Sequence, residues 1–445
     1  MLSDVLPCHP KGFLSFPLPF YYFYAQFERD KLLFLRFFVT TSARRCRTPS
    51  GLHFSLQIFS NIWYTTIKYI KETERTSFMR IIRQKLDLAG IPYPVEQITP
   101  LQKILFFDIE TTGFTAKRSS IYLIGCAFFD GSTFRLTQWF AEKYGEEKKV
   151  IESFFDMAKN YTHIVHFNGN NFDIPFIQQK CVEYGLPYTF DKLTGIDLYK
   201  RISPYKYFLK MSNCKQKSVE QFLGIQRNDT YNGGNLINVY HDYVSNPSDP
   251  AFHLLLLHNA DDIRGLIRIF PVLAYYDMFN KPLKAKKVQA NTYTDYFGME
   301  RQELLLKVSL PAALPAPIRF HANSCYFNAE GKYATFRVPI YQEEMKYFYA
   351  SYKDYYYLTD EDMAVHKSVS SYVNKEYRTQ ATAETCYTRK YSSYLPEWDL
   401  LIQPFFKRDY RSKEIFFELT DDIKTSRDTF SRYAEHILQM MADSY

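Results

Sequence analysis

From Leu101 onward, apolar and polar positions fall into runs with clear periods. Ile104–Phe107 is an apolar run that ends in Asp-Ile-Glu-Thr-Thr-Gly, the pattern of a strand leaving into a turn. Ile121–Phe129 predicts a second strand and Thr133–Ala141 a third, with Asp130-Gly131 between them as a hairpin signal. Glu146–Lys159 has helical spacing, with Val150, Ile151, Phe154, Phe155 and Ala158 on one side. Thr162–Phe167 predicts a fourth strand, followed by a polar turn and a helix through Pro175–Tyr184 that Gly185 ends. Gly195–Tyr199 predicts a fifth strand, Ser218–Leu223 a short helix, and Ala251–Met278 a long helical stretch stopped by Asn280 and Pro282. Three antiparallel-type strands followed by alternating helix and strand imply an α/β fold, a mixed sheet with helices on its faces. Beyond residue 283 the pattern becomes α+β. Arg319–Phe327 and Lys332–Ile340 read as strands joined by a hairpin at Asn328–Gly331, Ser370–Thr388 as extended chain, and Asp428–Met441 as a terminal helix.

Composition changes this picture at the N-terminus. The chain has 445 residues, 18% of them aromatic, and a formal net charge of +7. Residues 1–78 hold 10 Lys+Arg against 5 Asp+Glu, so the remaining 367 residues are close to neutral. The aromatic run Phe13–Phe38 is broken by Pro17, Pro19 and the Glu28–Lys31 charge cluster, too short for a spanning helix and without the basic start of a secretory signal. The expected organisation is therefore an N-terminal extension 1–78, absent if translation starts at Met79, then a linker 79–100, an α/β domain 101–282 and a C-terminal α+β region 283–445 of unassigned role. Seven scattered cysteines with no C-x-x-C spacing exclude a disulfide framework and a zinc site, and point to a reducing, cytoplasmic compartment with no membrane partner.

Three acidic elements carry candidate chemistry. Asp108 and Glu110 lie two apart at the end of an apolar strand, so strand periodicity puts both carboxylates on one face. Their repulsion would be relieved by a divalent cation, although an exposed turn with incidental acids has the same local sequence. His166-Phe167-Asn168-Gly169-Asn170-Asn171-Phe172-Asp173 runs from a strand through a polar turn to a helix start, where Asp173 is either a helix cap or a presented carboxylate. His258 and Asp262 stand at i and i+4 of an otherwise apolar helix, as a structural hydrogen-bond pair or a reactive one.

Taken together, Asp-x-Glu, Asn-x-x-x-Phe-Asp and His-x-x-x-Asp in this order resemble the three motifs of the DEDD superfamily of 3′–5′ exonucleases, which share an RNase H-like fold. Ile121–Gly125 (Ile-Tyr-Leu-Ile-Gly), Asn-Gly-x-x-Phe-Asp and His-Asn-x-x-Asp are similar to the YprB-type ribonuclease-H-like branch, over about 103–280. The resemblance implies that Asp108, Glu110, Asp173 and Asp262 hold two magnesium or manganese ions. It also implies that His258 takes a proton from water, and that Thr111, Thr112, Gly113, Asn168 and Phe172 border the terminal nucleotide. In the third motif a His occupies the spacing at which other members carry Tyr, and one residue is about 100° of helix rotation, so its reach as a base does not follow from the resemblance. Residues 199–218 hold six cations, Lys206 and Lys210 among them, and no acid, with Tyr199, Tyr205, Tyr207 and Phe208 interleaved. They form either a track for single-stranded DNA or RNA or a solvated basic loop. A binding module without turnover and a structure-specific endonuclease remain the alternatives to an exonuclease.

Overall fold

The computed structural model describes residues 72–75, 79–88, 90–226 and 233–444. The expected extension 1–78 therefore lies outside the described residues apart from β1 (Glu72–Arg75), whose backbone pairs antiparallel with β2 (Arg80–Leu86). The stretch 79–100, expected as a linker, instead contributes β2, a full member of the sheet paired antiparallel with Phe134–Phe140. Ile82, Gln84 and Leu86 point inward, while Arg83 and Lys85 point out. A glutamine at an inward position hid the period of two.

The first sheet continues with β3 (Ile104–Thr111), β4 (Ile121–Phe129), β5 (Phe134–Phe140), β6 (His163–His166) and β7 (Thr194–Asp197), in the order β1-β2-β5-β4-β3-β6-β7. The pairs out to β3 are antiparallel, and β3-β6-β7 run parallel. The helices are α1 (Glu147–Ala158), α2 (Asp173–Glu183), α3 (Leu198–Ile202), α4 (Gln216–Phe222), α5 (Gly233–Ser245), α6 (Asp249–Ile269) and α7 (Leu273–Asn280). The expected long helix is split between α6 and α7 by a 3-10 turn at Phe270–Val272, where Pro271 removes a backbone donor. No described helix is long and apolar enough to cross a membrane.

Strand β3 sorts its side chains by parity. Leu105, Phe107 and Ile109 enter a core with Phe154, Phe155 and Phe176 of α1 and α2. Ile104 and Phe106 enter the opposite core, with Ile263 and Leu266 of α6. That second core is continuous with the C-terminal region, where Leu306, Phe336, Tyr433 and Leu438 belong to the same cluster.

The C-terminal region adds β8 (Lys284–Thr294), β9 (Glu300–Ser309), β10 (Ile318–Ala322), β11 (Cys325–Glu330) and β12 (Tyr333–Phe348). A small sheet follows from β13 (Tyr355–Leu358), β14 (Met363–His366) and β15 (Arg378–Gln380), then β16 (Tyr387–Glu397), β17 (Phe405–Phe406) and β18 (Ile415–Glu418). The large sheet runs β10-β11-β12-β16-β18-β17, with β9 also on β12 and β8 on β9. The chain ends in α8 (Asp421–Thr425) and α9 (Arg427–Asp443). Two expectations are corrected here. Arg319–Phe327 is not one strand, because Asn323 and Ser324 adopt left-handed φ of 46° and 62° and turn the chain. Ser370–Thr388 is broken by 3-10 turns at Ser370–Tyr372 and Lys375–Tyr377, with only Arg378–Gln380 paired before β16, since Tyr- and Thr-rich composition marks β propensity but not the breaks within it.

Candidate active site

The parity of β3 decides where the first acidic pair points. Asp108 and Glu110 continue the alternation of Ile104 and Phe106, so they face α6. On α6, His258, Asn259 and Asp262 lie between apolar residues that seat the helix on the sheet. His258 Nε2 stands 3.3 Å from Asp262 Oδ2 and 3.8 Å from Glu110 Oε1. Glu110, His258 and Asp262 each offer a ligand atom within 4.8 Å of the other two, a geometry able to hold a metal ion.

A residue absent from the expected site fixes Asp108. The Asn259 side-chain amide donates to Asp108 Oδ2 at 3.0 Å and accepts from Gln138 Nε2 at 2.9 Å. Gln138 also donates to the Leu256 carbonyl at 2.9 Å and accepts from Gln84 Nε2 at 3.4 Å. A chain of buried amides thus crosses from β2 through β5 to α6 and ends on the carboxylate. Gly125 makes room for it. It pairs with Asp108 on one side and Gln138 on the other, and a Cβ there would lie 2.0 Å from Asn259 Oδ1.

Glu110 is reached from β4. The β3–β4 ladder pairs Glu110 with Leu123 and Thr111 with Ile121, so Tyr122 is the extra residue of a bulge. Bulges re-aim side chains. Here Tyr122 joins Leu123 in the core on the α5–α6 side, stacks on Tyr240 at 4.2 Å and hydrogen-bonds Glu110. Burial, and then the Glu110 carboxylate, hold its phenol well above its ordinary range.

Asp173 is the first residue of α2, and Phe172 occupies the cap position without a side-chain cap bond. The Asp173 carboxylate accepts the Ile109 N–H at 3.3 Å instead, tying α2 to the end of β3. Burial pushes its pKa up to about 7, against its backbone hydrogen bonds and helped by Asp197. Asp108 is raised well above the carboxylate range, by burial first and then by Glu110, Asp173 and Asp262, with the Asn259 bond opposing. Asp108 therefore feels the other three carboxylates from a buried place. A hard divalent cation is the group that such a donor set fits, because it offsets both the desolvation and the mutual repulsion.

The turn before Asp173 is built on Asp197, at the end of β7. Its carboxylate accepts the backbone N–H of Asn168 at 2.9 Å, Asn170 at 3.2 Å and Lys200 at 3.3 Å. Asn168 holds φ +64°, and its Oδ1 accepts from Asn171 Nδ2 at 2.8 Å. The buried His166 accepts the Gly169 N–H through Nδ1 at 3.1 Å. Burial lowers its pKa to about 4 against the pull of Asp197, so it is a neutral structural residue. Phe172 packs on Phe176 at 5.6 Å.

On the other side of the acidic pair, Thr111 Oγ1 donates to the Gly113 carbonyl at 2.7 Å, and Thr112 exchanges hydrogen bonds with Ser120. Next to this turn Phe114 is 81% exposed. The basic segment divides. Lys206 lies over the exposed Tyr207 ring at 4.9 Å and Lys210 is exposed. Phe208, expected as a stacking residue, is buried against Phe320 of β10 at 4.5 Å, and Tyr205 stacks on Phe279 at 4.1 Å. Phe208 thus joins the first sheet's domain to the second, while Tyr205 packs half-buried against α7 of its own domain, so neither ring is free to stack on a base. Asn259, Gln138, Tyr122, Asp197 and Phe114 are functional neighbours beyond the expected site residues. Asn259 and Tyr122 lie within motifs that the sequence displays, His-Asn-x-x-Asp and Ile-Tyr-Leu-Ile-Gly, whereas no local signal marks the other three.

Residues 105–274 match the family model of the RNase_H superfamily. No curated protein matches the chain. Among solved structures it is similar to the family B DNA polymerase of the hyperthermophilic archaeon Pyrobaculum calidifontis, with 16% identity and a TM-score of 0.34 over 49% of this chain and 31% of that one. It is also similar to Escherichia coli exonuclease I in its zinc-bound complex with single-stranded DNA (14% identity, TM-score 0.24) and with a dT13 oligonucleotide (11%, 0.26). Each of these matches covers 47% of this chain and 55% of the other. The chain thus spans 31% to 55% of the length of these structures. Residues 105–274 form an RNase H-like α/β domain, a mixed sheet flanked by helices.

Proposed function

We propose that the chain is a metal-dependent 3′–5′ exonuclease that hydrolyses phosphodiester bonds of single-stranded nucleic acid, and that it belongs to the YprB-type branch of the DEDD enzymes. The observation that carries this reading is the convergence of the three motifs: Glu110 of the first and His258 and Asp262 of the third offer ligand atoms within 4.8 Å of one another, and Asp108 is pushed well above its ordinary range by burial and then by Glu110, Asp173 and Asp262. Asp108, Glu110, Asp173 and Asp262 would hold two Mg2+ or Mn2+ ions, which when bound supply Lewis-acid stabilisation of the attacking and leaving oxygens. Asn259 orients Asp108, and Tyr122 orients Glu110. His258, within 3.8 Å of both Glu110 and Asp262, is placed to take a proton from the attacking water. The Thr111–Gly113 turn, Asn168 and Phe172 border the place of the terminal nucleotide, where Phe114 offers an exposed ring for base stacking. Lys206 and Lys210 would contact the backbone further along the strand.

The test is incubation of the purified chain with single strands bearing free or blocked 3′ ends, with Mg2+ and then with EDTA. A ladder from free 3′ ends only, lost in Asp108→Ala, is the expected result. Cutting of circular strands would instead establish an endonuclease, and absence of any Mg2+-dependent product would leave a binding module.

A further inference from the structure

The second sheet has one buried face and one open face, and strand parity sorts its residues between them. Leu304, Leu306, Val308, Phe327, Phe336 and Val338 pack inward, in one core with α9. On the open face Tyr326 is paired across the ladder with Arg337, Asn328 with Thr335, and Thr335 with Lys307. Three rings are displayed there, Tyr326 (51% exposed), Tyr333 (49%) and Tyr293 (37%). Each has a cation beside it. Lys307 lies over Tyr333 at 4.6 Å, and the Arg337 guanidinium is 5.5 Å from Tyr326 and 6.0 Å from Tyr293.

The charge on this face is one-sided. Arg337 pairs with the buried Glu303 at 2.9 Å, and Arg301 with Asp295 at 3.0 Å. Lys284, Lys287, Lys307 and Arg319 remain on the same side of the sheet against Glu330. Arg319, Tyr326, Asn328, Thr335 and Arg337 line a concavity of about 420 Å³ between the strands. Flat rings on three strands of one sheet face, β8, β11 and β12, each with a cation beside it, offer stacking to unpaired bases and charge to the phosphates between them. A duplex keeps its bases stacked on one another and has no use for such rings.

We infer that the open face of β8–β12 is a binding platform for single-stranded nucleic acid, with bases stacked on Tyr326 and Tyr333 and phosphates on Lys307 and Arg319. The inference rests on the nucleic-acid reading of the carboxylate site, to which it adds a second place of contact on the strand.

The test measures binding of fluorescein-labelled oligothymidine and oligouridine to the full chain in EDTA, by anisotropy, so that turnover plays no part. Tyr326→Ser with Tyr333→Ser should weaken binding by more than about tenfold. Lys307→Gln with Arg319→Gln should flatten its salt dependence. Tyr372→Ser, at a still more exposed ring elsewhere, should change nothing. Ultraviolet cross-linking of bromouracil-substituted strands should mark peptides within 319–337. Wild-type affinity in both double variants, or cross-links confined to 105–274, would overturn the platform and leave the nuclease reading standing. Persistent hydrolysis by Asp108→Ala would overturn the nuclease reading and leave the binding result untouched. Preference for thymidine or uridine strands separates DNA from RNA as the occupant.

Discussion

Gly125→Ala tests whether the buried amide chain positions the site. The added Cβ would lie 2.0 Å from Asn259 Oδ1 and 2.9 Å from Ile263 Cδ1, where ordinary contact begins at 3.4 Å. Asn259 has no cheap way to yield, because it is fully buried and bonded on both sides, to Asp108 and to Gln138. One response is for α6 to lift by about 1.4 Å to reach ordinary contact, an overpacking that costs about 1–3 kcal/mol. The other is for the amide to turn out of its bonds, which strands Asp108 and costs about 1–3 kcal/mol. The first response moves the segment carrying His258 and Asp262 and the second frees Asp108 from the amide that holds it, and a misplacement of about 1 Å is worth about a hundredfold in rate. Single-turnover hydrolysis of an end-labelled strand at saturating Mg2+, with the thermal midpoint read on the same sample, checks both effects. The expected outcome is a midpoint lowered by several degrees and a rate lowered about a hundredfold. Adding Asn259→Ala should relieve the clash and restore much of the midpoint while the rate stays low. A wild-type rate in Gly125→Ala would refute the link between this glycine and the carboxylates.

Other outcomes follow from the same geometry. Tyr122→Phe removes the hydroxyl from Glu110, and loss of such an outer partner should weaken Mg2+ binding by about 10–100-fold, measured by calorimetry. Burial raises Asp173 from its ordinary 3.8 to about 7, so the cation-free fold holds a proton that the unfolded chain releases. That stability is complete below 3.8 and is lost as pH rises through about 7. The midpoint gain from Mg2+ over EDTA should therefore be larger at about pH 8 than at about pH 5.5. Asp197→Ala leaves the Asn168, Asn170 and Lys200 N–H groups without their acceptor, which should lower stability by about 1–3 kcal/mol in denaturant titration and slow hydrolysis with it. Phe114→Ala should raise KM about tenfold with kcat changed little.

Much of the first sheet is legible in the chain because its strands are apolar and end in turn residues. Ile121–Phe129 is read to the residue, and the parity that aims Asp108 and Glu110 at one face follows from period two alone. What eludes the sequence is what distance in the chain conceals. Gln138 and Asn259 lie 121 residues apart, and nothing local marks them as partners. The bulge at Tyr122 is a mismatch between two strands, invisible in either one. Phe208 sits among lysines and tyrosines and still packs inward, because its partners Phe320 and Phe327 come from the second sheet. Polar positions defeat pattern reading in β2 as well, where Gln84 is buried because Gln138 awaits it.

The seating of β2 bears on how the protein can be cut. A chain trimmed to the family-matched stretch 105–274 would discard Gln84 and uncover the whole hydrogen-bonding edge of β5, from Phe134 to Phe140. Bare edges of that length recruit other strands, so such a fragment should aggregate. It would also leave Phe208 and the α6 face of the first sheet without the cover of the C-terminal strands and α9. The smallest piece that keeps the buried amide chain and its sheet closed begins before Arg80 and retains the C-terminal region.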